Sequence, residues 1–122
     1  MARCVHLPNF QIDQEWPHQV AIFDDLCCYT NYEVIARFCA GLSVCKKTRQ
    51  VTAVWPNGKC ELHRLYCFKE RADAQAFIDH FGGVHFDPIK DRVKGMRDAW
   101  IRSEEWTKVT ESGPLKVPDI LL

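Results

Sequence analysis

Seven cysteines and five histidines supply many of the side chains that bind zinc most often. The cysteines are Cys4, Cys27, Cys28, Cys39, Cys45, Cys60 and Cys67. Structural zinc takes its ligands from close pairs such as C-x2-C, and no two of these cysteines are three positions apart. Cys60 and His63 have that spacing, but on a strand residues i and i+3 point to opposite faces. The sequence therefore predicts no metal site and no cofactor.

Sequence motifs of common enzyme classes are also missing. Gly58-Lys59 is followed by Cys60 and lacks the second glycine of a phosphate-binding loop, and neither G-x-S-x-G nor H-E-x-x-H occurs. A cysteine nucleophile would meet its histidine partner only through the fold, so no local motif tests for one. We therefore predict a protein that is not an enzyme, with a small cysteine-dependent enzyme as an alternative.

Charge is distributed unevenly along a chain whose formal net charge is zero. Residues 46–71 hold seven lysines and arginines against two glutamates, whereas residues 1–45 and 72–122 are both net acidic. An electrostatic partner should therefore dock on the middle third of the chain.

The compartment is predicted from apolar runs and from the cysteine count. The N-terminal sequence MARCVHLPNF lacks the long apolar run of a secretion signal, and no run in the chain is long enough to cross a membrane. An odd number of cysteines is typical of a reducing compartment, where free thiols act as small hydrophobic groups. We expect a cytoplasmic protein with no membrane contact.

The elements that position these residues fit one α+β domain, since 122 residues are enough for a single core. Apolar residues at i, i+3, i+4 and i+7, followed by Gly82-Gly83, predict a helix that ends near Phe81. The capping-box sequence Thr30-Asn31-Tyr32-Glu33 predicts a second helix over residues 31–41.

Other segments complete the predicted elements. Residues 17–28 fit either a helix or a strand, and the helical spacing of their apolar residues favours a helix. Residues 2–7 and 84–86 are predicted as short strands. Asp87-Pro88 is typical of a helix start, and that helix is expected to run to about Trp106.

The expected architecture is a β-hairpin–helix–strand (β-β-α-β) unit packed with two or three further helices. One compact domain should cover residues 1–108, and an extended C-terminal tail should follow over residues 109–122.

A β-hairpin is predicted around Asn57-Gly58, the dipeptide most typical of a two-residue type I′ turn. A three-residue loop would bring Lys59, Glu61 and His63 onto the apolar face, so the two-residue turn is favoured. Because the hairpin and helix faces must cover one another, we expect one shared core. Its predicted members are Phe38, Trp55, Leu62, Phe77, Ile78, Phe81 and Trp100.

The same register gathers cations at the open end of the hairpin. The predicted partner-binding residues are Lys46, Lys47, Arg49, Arg64, Lys69 and Arg71. Few exposed aromatic residues accompany them for stacking on bases, so an acidic protein surface is preferred over nucleic acid. A solvated rim whose charges are met by neighbouring acids is the alternative.

Together these expectations describe a small intracellular interaction protein, acting as a regulator or as an inhibitor encoded by a mobile element. A winged-helix DNA-binding regulator is a further alternative, which requires residues 17–28 to be helical. It also requires helix 31–41 to present polar groups to the major groove, where that helix offers one cation, Arg37, and a forward acid, Glu33.

Overall fold

The computed structural model describes residues 8–91 and 99–122, which form one α+β domain as predicted. The elements are α1 (Asn9–Glu15), β1 (His18–Phe23), α2 (Thr30–Cys39), β2 (Arg49–Val54), β3 (Cys60–Phe68), α3 (Arg71–Phe81), β4 (Val84–Phe86), β5 (Ala99–Ile101), β6 (Glu111–Ser112) and β7 (Leu115–Lys116). Short 3₁₀ turns follow β1 and end the chain, at Asp24–Cys27 and Asp119–Leu121. None of the described helices has the length and apolar character needed to span a bilayer.

The main sheet has five strands in the order β4-β1-β3-β2-β5. Neighbouring strands are antiparallel except β2 and β5, which are parallel. The last four residues of the central strand β3 are all buried, because apolar side chains cover both faces of the sheet there.

Apolar residues pack on both faces of this sheet, in two separate clusters. One cluster, beneath α2 and α3, includes Val20, Ile22, Leu26, Ile35, Tyr66, Phe68, Phe77, Phe81, Leu115 and Val117. The other, beneath α1, includes Ile12, Ala21, Val51, Ala53, Trp55, Leu65, Phe86 and Trp100. The predicted single core that unites Trp55 and Trp100 with Phe77 is wrong, because successive residues of a strand point to opposite faces.

The hairpin turn is longer by one residue than predicted. The N–H of Trp55 donates to the carbonyl of Lys59 at 2.9 Å across a three-residue loop, 56–58. Within this loop only Gly58 has a positive φ, 88°. A type I′ turn would also need a positive φ at Asn57, so the predicted two-residue turn is wrong.

This change of register exchanges the two faces of β3. Val51 pairs with His63, and Thr52 pairs with Leu62. Leu62 is therefore 41% exposed and not in the core, whereas His63 is only 7% exposed. The reason is geometric, since a one-residue shift moves every side chain to the other side of the sheet.

Residues 17–28 form a strand and a 3₁₀ turn, so the favoured helix is wrong. β1 lies between β3 and β4, and its central residues 19–22 are buried on both faces. A strand buried in this way has no polar–apolar alternation to identify it. The helix-turn-helix that a winged-helix regulator requires is consequently not formed by this segment.

The two predicted helices are present, although the capping box is not. α2 begins at Thr30, which places Tyr29 at the N-cap with a φ of 56° and no side-chain capping bond. α3 ends at Phe81 as expected, and the two glycines that follow have φ values of 87° and 99°.

The segment after β4 departs from the predicted long helix. Asp87 does begin a helical turn, because its Oδ1 accepts the N–H of Ile89 at 2.8 Å. Ala99–Ile101, however, is a strand parallel to β2, so the predicted helix is wrong in that part. Residues 92–98 of that prediction, and the predicted strand over residues 2–7, lie outside the described residues.

The C-terminal segment packs onto the body of the domain as a small two-stranded hairpin. Leu115 is fully buried and Val117 is 6% exposed, both in the cluster beneath α2 and α3. Gly113 approaches α3 so closely that a Cβ there would lie 2.4 Å from the carbonyl of His80. The segment expected as an extended tail thus contributes to the core.

Candidate functional site

The six cations predicted to bind a partner do not form one cluster. Arg49 faces Leu65 across the hairpin, and Arg64, the neighbour of Leu65, lies on the other face of the sheet. Arg49 is 5% exposed and forms an ion pair with Asp13 of α1. Arg64 Nε donates to Asp24 Oδ1 at 3.0 Å. The prediction that both arginines join an exposed cluster is therefore wrong.

Arg49 belongs to a polar network between β2 and α1. The exposed fractions of the Arg49 and Asp13 side chains are 3% and 15%. Gln19 Nε2 donates to the same carboxylate at 3.0 Å and to the carbonyl of Trp16 at 3.2 Å. A buried guanidinium requires such a partner, because an unpaired charge is costly to remove from water.

The lysines before Arg49 lie in a three-residue bulge between an isolated bridge at Val44 and the start of β2. On one side of this segment the N–H of Cys45 donates to the carbonyl of Cys67, 2.8 Å away. On the other side Arg49 already pairs with Leu65. Only one residue of β3, Tyr66, lies between Leu65 and Cys67. The three residues 46–48 therefore lie opposite this single residue.

The bulge changes where the side chains point. Both lysines in it are exposed, although Cys45 before it and Arg49 after it are buried. Strand bulges commonly re-aim side chains in this way. The bulge therefore directs two consecutive cations to the surface, where a regular strand would direct one inward.

Two more cations lie at the end of β3 and the start of α3. Lys69 and Arg71 are exposed, and the N–H of Lys69 donates to the carbonyl of Ser43 at 3.2 Å, just before the bulge. Lys69 Nζ also lies 5.0 Å from the ring centroid of Trp16. We name the set Lys46, Lys47, Lys69 and Arg71 the basic corner.

Two acidic residues lie beside the basic corner. Asp73 Oδ2 accepts the backbone N–H of Ser43 at 2.8 Å, and hydrogen bonding to Ser43 holds the pKa of Asp73 below its usual value. Glu70 is exposed between Lys69 and Arg71. Among the described residues beside it, these two carboxylates are fewer than the four cations of the basic corner.

A groove of about 360 Å³ lies between α2 and the bulge. It is lined by Tyr32, Ala36, Cys39, Ala40, Leu42, Val44, Cys45, Lys46, Thr48 and Tyr66. Most of these side chains are apolar, and Tyr32 is 54% exposed. The sequence carried one signal for this groove, since Tyr32, Ala36 and Ala40 recur every four residues along one face of α2.

Four of the described thiols are poorly suited to act as nucleophiles. Burial raises the pKa of Cys27 to about 12 and that of Cys39 to about 11. Burial also raises the pKa of Cys28 and Cys67. Nucleophilic cysteines need the opposite shift, because the thiolate is the reactive form.

The described residues include one group of three potential metal ligands. Ligand atoms of Asp24, Asp25 and Cys28 all lie within 4.8 Å of one another. Asp24 already accepts a hydrogen bond from Arg64, and the Cys28 thiol lies 3.4 Å from the carbonyl oxygen of Asp24. Two of the three residues, Asp24 and Cys28, are thus engaged in local hydrogen bonds.

Comparison with known proteins assigns no family or function to the chain. A scan against protein-family models finds no matching family, and neither the curated proteins nor the solved structures give a match.

Proposed function

We propose that this protein is a non-enzymatic interaction domain that binds an acidic segment of another protein at its basic corner. The observation that carries the proposal is the bulge at residues 46–48, which turns Lys46 and Lys47 outward beside an apolar groove. Bulges disrupt a strand ladder and are usually retained for a purpose. Here the purpose is to present charge next to an apolar surface.

The basic corner and the groove make different contributions to binding. The groove accepts one apolar side chain of the partner, with the exposed ring of Tyr32 as an anchor of the kind that dominates interface energies. The four cations meet carboxylates on either side of that side chain. Such charge pairs mainly accelerate encounter and select the correct partner.

A protein partner fits this surface better than nucleic acid. A phosphate backbone has no apolar group to fill the groove, whereas a peptide segment has both carboxylates and aliphatic side chains. Trp16, the aromatic ring beside Lys69, is half-buried and lies near the lysine ammonium, so it is poorly placed for base stacking. A cytoplasmic regulator or inhibitor that acts by occupying a partner's surface would use such a site.

Affinity capture from the native host tests the proposal. The parent protein and the variant Lys46→Glu, Lys47→Glu, Lys69→Glu are used as baits, and bound proteins are identified by mass spectrometry while nucleic acid is recovered in parallel. We expect an acidic protein on the parent that the variant loses. The matched control Lys90→Glu, Lys108→Glu, Lys116→Glu changes the net charge equally at exposed lysines elsewhere and should keep that protein.

Two results would overturn the proposal. One is a parent and a reversal variant, both folded, that capture the same proteins in the same amounts. The other is recovery of nucleic acid alone on the parent with its loss on the variant, which would favour the DNA-binding alternative.

A further inference from the structure

A cavity of about 360 Å³ lies at the turn end of the hairpin, far along β3 from the basic corner. Its apolar wall includes Ile22, Phe23, Leu26, Trp55, Val84 and Val109. Its polar lining includes Glu61, His63, Arg102, Glu104, Glu105, Thr107, Glu111 and Ser112. The lining is thus divided between an apolar and a polar side, and the volume is in the range of small-molecule sites.

His63 is the most buried of the polar residues that line the cavity. It is 7% exposed, and its ring centroid lies 6.0 Å from Phe23, 5.9 Å from Trp55 and 5.8 Å from Trp100. Burial lowers its pKa, so the imidazole is neutral at pH 7.

The tautomer of this neutral imidazole follows from its one hydrogen-bond contact. His63 Nδ1 lies 3.4 Å from the carbonyl oxygen of Glu61. A carbonyl oxygen only accepts, so Nδ1 carries the proton and Nε2 keeps its lone pair. Nε2 has no hydrogen-bond partner within the described residues.

After His63 Nε2, the carboxylate of Glu61 supplies a second acceptor atom to which no described group donates a hydrogen bond. Its Oε2 accepts the indole N–H of Trp106 at 2.8 Å, whereas its Oε1 is buried and finds no partner in the described part of the chain. Buried polar atoms are nearly always hydrogen-bonded, and an acceptor left without a donor destabilises the protein. Among the described residues, Glu61 Oε1 is the one buried side-chain atom of this lining that has no partner, and because it is an acceptor the missing group is a donor.

The charge of the cavity lining also favours a ligand that donates hydrogen bonds. Arg102 forms an ion pair with Glu104, and its guanidinium lies 4.0 Å from the ring centroid of Trp100 and 5.8 Å from that of Trp55. The other lining carboxylates, Glu61, Glu105 and Glu111, have no ion pair among the described residues. With four glutamates against one arginine, the lining of the cavity is therefore net acidic.

We propose that this cavity binds a small organic cation, an alkyl- or arylalkylamine. Its ammonium N–H groups donate to His63 Nε2 and Glu61 Oε1, and its apolar part packs against Trp55 and Phe23. A bare metal ion is a poorer match, because it would leave the apolar wall without contacts. This binding is independent of the basic corner, which lies at the opposite end of the hairpin.

Three probes of one shape and different charge test the proposal: benzylamine, benzyl alcohol and benzoate. Each is titrated into the full-length protein and followed by ¹H–¹⁵N NMR. We expect benzylamine to shift resonances of the cavity lining saturably, with a dissociation constant on the order of 1 mM for a ligand of this size. Benzyl alcohol should bind about tenfold more weakly, and benzoate should not bind.

Glu61→Gln is the decisive variant. Its amide oxygen still accepts from Trp106, while its NH₂ group replaces the unpartnered acceptor by a donor. Benzylamine affinity should fall at least tenfold. Glu111→Gln, at an exposed rim position that cannot affect folding through burial, should lower it about twofold to threefold.

Four results would each overturn the proposal. Benzoate could bind as tightly as benzylamine, benzylamine shifts could be confined to residues outside the cavity, or no probe could give a saturable shift. The fourth is unchanged benzylamine affinity in a folded Glu61→Gln variant. If Glu61→Gln proves unstable in a thermal melt, an unchanged affinity in Glu111→Gln together with equal binding of benzyl alcohol would overturn the proposal instead.

Discussion

Arg49 and Asp13 show how the surroundings of a charged residue decide its role. The guanidinium is buried between β2 and α1 and held by a carboxylate, whereas Lys46, three positions earlier, is exposed. In the sequence alone, Arg49 and Lys46 look alike, because each contributes one positive charge. The difference arises because Asp13 reaches Arg49 from 36 residues away, a contact that no local pattern reports.

We expect Arg49→Met to destabilise the protein strongly. Breaking a buried ion pair leaves an uncompensated charge and typically lowers the free energy of unfolding by about 3–5 kcal/mol. The control Lys46→Met, at an exposed position, should change it by less than about 0.5 kcal/mol. Urea unfolding followed by tryptophan fluorescence measures both, and similar effects of the two substitutions would contradict the buried position of Arg49.

At the scale of elements, α2 and α3 were predictable because their signals are local, whereas α1 was not predicted. α3 repeats apolar residues at helical spacing, and the side chains that define the pattern, such as Ala74, Phe77 and Phe81, are buried. β1 and β5 carry no such signal. β1 is buried on both faces, and β5 is a three-residue strand that pairs with β2, which lies far away in sequence.

The hairpin was predictable as an element, but its register was not. Asn57-Gly58 suits a two-residue turn, yet Pro56 before it equally suits the start of a type I turn. Distant contacts favour the longer loop, because Trp106 donates to Glu61 and lies 5.0 Å from Lys59 Nζ. The contacts with Trp106 give Lys59 and Glu61 favourable surroundings. In the sequence, the position of these two polar residues on the apolar face argued against a three-residue loop.

A glycine substitution tests the observed turn. Gly58 has a φ of 88° and open space around it, so Gly58→Ala adds no clash and only strains the backbone. We expect a loss of about 1–2 kcal/mol in the free energy of unfolding. Gly41→Ala is the matched control, because Gly41 has equal space and no positive φ. It should be neutral or stabilise by about 0.4–1 kcal/mol. Equal melting temperatures for the two variants would argue against the left-handed turn residue.

At the scale of the whole molecule, the central sheet separates two apolar clusters and also two surfaces. The C-terminal segment completes one cluster through Leu115 and supplies Trp106 to the turn end of the hairpin. The basic corner lies at the open end. The sequence predicted the fold class, because it depends on composition and local order, whereas partner binding by the four cations of this corner stays a prediction. The groove and the separation of Arg49 and Arg64 depend on how distant strands pair, and the sequence alone did not predict them.

The central claim is that the basic corner steers an acidic protein segment into the adjacent groove. Its most direct test is the association rate of the purified partner, measured by stopped flow at about 50 mM and 300 mM salt, where the Debye length falls from about 14 Å to 6 Å. For the parent we expect the rate to fall at least tenfold over this range. The variant Lys46→Glu, Lys47→Glu, Lys69→Glu should already bind at least tenfold more slowly at low salt, and its rate should rise with added salt because salt screens the repulsion between the reversed corner and an acidic partner. Equal rates for parent and variant at low salt would contradict the claim.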